Sequence, residues 1–217
     1  MSALAGIAVT AFLVAFSGAM VPGPLTLLTV ERGARQGWAA GFWVTLGHAL
    51  GEGALVGAIL GGMGPLLMRP AVAAAASGLG AAVLVFMGAA MVRNPGPAPA
   101  VPVEGGVCRR QRSNAAATVA AGLAATVANP YWVVWWASVG LAYLVTARSL
   151  GAAGLAAFLG GHLGADLVVG VAVASLAAAG GGRVGEQWYP RAVRVLGVFL
   201  LLMGGYFVQV VVRMVQS

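Results

Sequence analysis

The sequence predicts an all-α membrane protein: six transmembrane helices forming two inverted three-helix repeats, the first helix of each repeat broken at proline. Three observations carry this prediction. Of 217 residues, 60% are hydrophobic and only 8% charged, with a mean hydropathy of +0.94; an ordinary soluble domain carries roughly 25% charged residues. The apolar residues fall into six runs, each near the ~20 residues that cross a ~30 Å hydrocarbon core. The runs divide three and three about a Pro/Gly-rich connection, and the two halves echo each other.

The first run, 3–30, is interrupted at Pro22. No positive charge precedes Arg32, so the run lacks the basic start of a cleaved signal and reads as a retained helix. The second and third runs span 38–61 and 71–92. Between them Gly61, Gly62 and Pro65 read as loop punctuation. The connection 93–114, RNPGPAPAVPVEGGVCRRQRS, reads as a flexible linker. It separates a first repeat, 1–92, from a second, 115–217. The fourth run, 115–145, is interrupted at Pro130, and 154–180 and 192–212 complete the set, with Gly180 to Gly182 as a loop between them. Helices are the natural spanning form, because an unpaired backbone group in lipid costs several kcal/mol. The alternating short strands of a membrane barrel are absent from the pattern.

All 12 basic residues are arginine, and they lie in the connections, where membrane orientation explains the net charge of +7 better than nucleic-acid binding does. Arg32, Arg35, Arg93, Arg109, Arg110, Arg112, Arg183, Arg191 and Arg194 follow the odd-numbered runs; only Arg69, Arg148 and Arg213 follow the even ones. Positive charge favours the cytoplasm, which places the 93–114 linker inside and both termini outside. The single cysteine, Cys108, excludes a disulfide framework. No nucleophile with a base and no cofactor motif stands out, so neither an enzyme nor a cofactor is expected.

The echo between halves carries the candidate chemistry. WAAGFWVTLGHALGE (38–52) sets beside GAAGLAAFLGGHLGAD (151–166), with one residue inserted before the second histidine. Gly41 then matches Gly154, Gly47 matches Gly160, His48 matches His162 and Glu52 matches Asp166. With three crossings per half, the second half enters the membrane from the opposite side, a common plan of secondary transporters. Within each pair the histidine and acid stand four residues apart and share a helix face. An ionised group at the bilayer centre costs at least ~2.5–3.5 kcal/mol. His48, Glu52, His162 and Asp166 are therefore candidates to relay protons or to neutralise a cationic group; the plainer alternative is that each acid only pairs with its own histidine as glue between helices.

The breaks VPGPL (21–25) and ANPYW (128–132) occupy matching places in the two halves. Proline removes a backbone donor and clashes with the preceding turn, and it pushes the residue before it out of helical geometry. Two half-helices meeting inside the membrane would free backbone groups and helix-end dipoles for a polar substrate. Pro22, Gly23, Pro24, Asn129 and Pro130 are the candidate binding residues. Trp132 joins them as a possible cation–π partner for an ammonium group, although Trp132, Trp135 and Trp136 read first as interfacial anchors.

These motifs resemble those of the lysine exporter (LysE/RhtB) family. VPGPLTLLTVERGARQGWAAGFWVTLGHALGE (21–52) follows the family order of a Pro-Gly-Pro break, a basic stretch and a Gly-rich helix bearing an acid, here Glu52. Asn129 and Pro130 match the opening of the second half, with Tyr131 where lysine often stands. The resemblance implies a six-helix exporter of amino acids or similar small metabolites in a prokaryotic inner membrane, driven by protons and working as a homodimer. The paired histidines depart from the usual pattern. They keep a second reading open, a divalent metal exporter with His48, Glu52, His162 and Asp166 as ligands.

Overall fold

A computed structural model describes residues 2–67, 69–95, 103–104, 107–108, 114–180 and 188–216. Helix α1, Ala3–Ala19, is capped by the Ser2 hydroxyl, which accepts from the Ala5 amide. After a four-residue break, Pro24 opens α2, Pro24–Gln36, where its missing donor costs nothing and its fixed φ suits the first turn. The two axes meet at 79°. Gly37 ends α2 at φ 86°, a backbone region that side chains beyond glycine rarely enter. Arg32 and Arg35, expected in a loop, thus ride on the last turns of α2, because the apolar run gives way to polar residues without any helix-breaking signal before Gly37.

Helix α3, Ala39–Ala58, runs on through a wide turn at Ile59–Met63 in which Gly62 takes φ 106°. Short α4, Gly64–Leu67, then leads to α5, Pro70–Arg93. Gly61, Gly62 and Pro65, read as loop, are therefore helical or nearly so, with the single reversal concentrated at Gly62. In the connection, β1 (Val103–Glu104) pairs antiparallel with β2 (Val107–Cys108). Most of the remainder of 93–114, together with Gly181 and Gly182, lies outside the described residues.

Helix α6, Ala115–Val127, is capped by Asn114. Asn129 takes the extended geometry imposed by the following proline, and its side chain accepts from the Tyr131 amide to cap α7, Pro130–Trp135. A wide turn at Trp136–Gly140 joins α7 to α8, Leu141–Ser149. Helices α9, Gly151–Gly180, and α10, Trp188–Gln216, complete the chain.

The protein is an all-α membrane protein. Among the described residues three spans are long and apolar enough to cross a bilayer: Ala39–Met63, Gly151–Ala179 and Val193–Arg213. The bent pair α1–α2 makes a fourth if counted as one crossing, and Ala81–Arg93 and Ala115–Val127 are shorter apolar helices. These are fewer than the six expected spans: both broken runs are divided between shorter helices, and only Ala81–Arg93 of α5 enters the comparison.

Packing is crosswise. Helix α1 lies against α9, α6 lies against α3, and α3 crosses α9. Gly41 meets Gly170 at one end of the α3–α9 crossing, while Val56 and Leu155 share a core cluster at the other, so these helices run antiparallel. Glycine permits the close approaches. A Cβ on Gly47 would collide with the Val119 carbonyl of α6, and one on Gly161 with the Ala8 carbonyl of α1. Gly160 faces open space. The spatial counterpart of Gly47 is thus Gly161, the glycine immediately before the second histidine, rather than Gly160. One residue turns a helix face by about 100°, so the inserted residue belongs before the glycine.

Candidate functional site

Helices α3 and α9 project His48, Glu52, His162 and Asp166 toward one another at their crossing; the first three are buried, and the Asp166 side chain is 10% exposed. His48 Nε2 lies 3.3 Å from Glu52 Oε1 and 3.8 Å from Asp166 Oδ2. His162 Nε2 lies 2.9 Å from Glu52 Oε1 and 3.4 Å from Asp166 Oδ2. The two pairs are therefore one cluster. Each histidine reaches the acid of the other half as well as its own, which is more than intrahelical pairing provides.

Glu52 is 2% exposed, and a carboxylate taken out of water needs donors. Its Oε1 faces the Trp136 indole N–H at 2.9 Å and that of Trp132 at 3.3 Å, in addition to His162. The expectation of interfacial anchors therefore fails for Trp136, while Trp132 is half-buried against the same carboxylate. Trp136 is 1% exposed, because an indole buried beside a carboxylate satisfies it while filling the core around it. Trp135 lies over the His162 ring with centroids 4.7 Å apart, and Phe158 approaches the same ring at 5.9 Å. The histidine is thereby fixed on two sides.

A single cavity runs from this cluster to both helix breaks. The first break contributes Gly18, Val21, Gly23 and Leu25, the second Asn129, Tyr131 and Trp132. His48, Glu52, His162 and Asp166 line the same space, with Thr45 and Gly170 between the helices. Its volume is about 90 Å³. At roughly 10–15 Å³ per ordered water on that measure, it admits several waters or a small metabolite. Of the candidate residues, Gly23, Asn129 and Trp132 line the cavity; Pro22 and Pro24 do not. Pro24 is buried at the first turn of α2, where it shapes the backbone instead. Pro130 opens α7 in the same way.

The cavity presents two kinds of polar atom. Glu52 Oε2 and Asp166 Oδ2 are buried with no hydrogen-bond partner among the described residues. The first turn of α2 begins at Gly23, which offers no side-chain cap to the backbone amides of Leu25 and Thr26, two lining residues. His48, Glu52 and Asp166 each offer a ligand atom, all within 4.8 Å of one another, a spacing that could hold a metal ion.

One buried contact escaped the sequence reading. Thr126 Oγ1 lies 2.9 Å from His48 Nδ1. A signal for it exists, since Thr118, Gly122 and Thr126 recur every four residues on one face of α6, the small-residue spacing of close helix contacts. Gly122 indeed packs on the Val44 carbonyl of α3.

Comparison with curated proteins found no match, and neither did comparison with solved structures. The family model of the LysE type translocators matches residues 16–210, a span holding both breaks and both His/acid pairs. The chain belongs to the LysE type translocator family, whose members are membrane transporters.

Proposed function

We propose that the chain is a secondary exporter of amino acids or similarly small zwitterionic metabolites, coupled to protons, in the prokaryotic inner membrane. One observation carries the reading: a single cavity is lined by both helix breaks and by both His/acid pairs. A zwitterion needs donors at one end and acceptors at the other. The uncapped start of α2 supplies backbone donors and a favourable helix dipole for a carboxylate. Glu52 Oε2 and Asp166 Oδ2, which have no hydrogen-bond partner among the described residues, supply acceptors for an ammonium group, with Trp132 beside them.

The antiparallel run of α3 and α9 supports an inverted relation between the halves. Residues 1–92 and 115–217 act as inverted repeats, joined by the cytoplasmic linker 93–114, with both termini outside; two copies form the homodimer. Rocking of one repeat against the other opens the cavity to either side in turn. His48 and Asp166 carry the protons that exchange for substrate, imidazole being the side chain that changes charge near neutral pH, while His162 holds Glu52 in place. In inverted vesicles, uptake of a radiolabelled amino acid should follow the imposed pH gradient and fall to the level of protein-free vesicles when the gradient is collapsed. Uptake of every amino acid tested being indifferent to the gradient overturns the coupling.

The spacing of His48, Glu52 and Asp166 favours a second reading, export of a divalent metal ion. Metal tolerance of a deletion strain separates the two. Rescue by the wild-type gene and not by His48→Ala supports metal export; an unchanged tolerance profile supports the metabolite.

A further inference from the structure

The halves deliver the same side chains to the cavity with different support behind them. Gly47 packs on Val119 and Gly161 on Ala8. Seven residues further along each facing helix stand Thr126 in α6 and Ala15 in α1, so alanine occupies the place where His162 would find a hydroxyl. His162 Nδ1 is accordingly buried without a partner among the described residues.

The Thr126 hydroxyl has one hydrogen and lies 2.8 Å from the Gly122 carbonyl, which can only accept. With its hydrogen committed there, Oγ1 accepts from His48 Nδ1–H at 2.9 Å. The neutral His48 ring is then left with a bare Nε2. Glu52 Oε1 does not require a donor from it, having His162 at 2.9 Å and Trp136 at 2.9 Å. His162 has the opposite arrangement, its Nε2–H given to Glu52.

We propose that Thr126 makes the two histidines unequal. It holds His48 as the Nδ1–H tautomer, so that His48 Nε2, Glu52 Oε2 and Asp166 Oδ2 form an acceptor-only cradle for a primary ammonium group. His162 is a positioning donor that steadies Glu52. The choice of an ammonium group rests on the exporter reading; the tautomer assignment stands apart from it.

The chain contains two histidines, so a ¹⁵N-histidine spectrum of the whole protein in lipid nanodiscs has only two rings to assign, and His162→Gln isolates His48. Well above the ordinary imidazole pKa of about 6.5, His48 is expected to show a protonated Nδ1 and a bare Nε2, and His162 the reverse. Thr126→Ala should move His48 toward the other tautomer, and Thr126→Ser should restore it. Methylammonium should shift His48 Nε2, whereas tetramethylammonium, with the same charge and no N–H, should not. A protonated His48 Nε2 in the wild type, or a spectrum indifferent to Thr126→Ala, overturns the tautomer assignment. A response to zinc and none to methylammonium overturns the cradle. A protein that meets the spectral expectations and exports no amino acid overturns the exporter reading alone.

Discussion

Exchange of Glu52 for glutamine is expected to lower export at least ~30-fold while the protein still folds. Glu52 sits at the centre of the site, its Oε1 within reach of His162, Trp132 and Trp136. The amide of glutamine retains one oxygen acceptor of the same shape, so the indoles and His162 keep a partner and the core keeps its packing. What disappears is the charge. Losing one member of a buried, hydrogen-bonded charge pair costs ~2–5 kcal/mol, or about 30-fold and upward at ~1.4 kcal/mol per decade. Glu52→Ala behaves differently: it strands three donors and opens a void, so the protein itself should lose stability. Export from proteoliposomes, set beside the thermal midpoint in detergent, distinguishes the two. Glutamine supporting wild-type export would remove Glu52 from the mechanism.

Gly161→Val should be among the most damaging of the small-residue changes. Its Cβ would strike the Ala8 carbonyl, and backbone on a packed helix cannot give way as a flexible side chain can. Overpacking of this kind costs ~1–3 kcal/mol, and here it also parts α1 from α9. Gly47→Val, against the Val119 carbonyl, should match it. Gly160→Ala is the control: it faces open space, and replacing a helical glycine there should stabilise by up to ~1 kcal/mol. Equal thermal midpoints for Gly160→Ala and Gly161→Val would overturn the assigned register.

Much of this was legible in the residues. Charge depletion announced the membrane, and the prolines announced both breaks, because each acts through local rules of backbone geometry. The pairs at His48/Glu52 and His162/Asp166 stood out for a similar reason: ionisable groups are rare at such depth. Their joining into one cluster was not legible, since it depends on α3 crossing α9, a long-range fact. Trp136 was misplaced because a preference for interfaces is a statement about averages, and a buried carboxylate outbids it at this position. Thr126 was missed because a threonine in an Ala/Gly-rich helix looks like filler until the helix it faces is known. The Gly47/Gly160 match failed through treating the inserted residue as neutral, when its position decides which face the glycine occupies.

The exchange of partners between the halves has a consequence for how the molecule is made. Helix α3 finds its close neighbour in α6, and α9 finds its own in α1. Neither half can therefore complete the packing of its histidine-bearing helix from its own helices. The first half synthesised must wait, with Gly47 and the polar face around His48 uncovered, until α6 arrives. The final fold is thus a mutual clasp, and the polar cluster at its centre is assembled only when both halves are present.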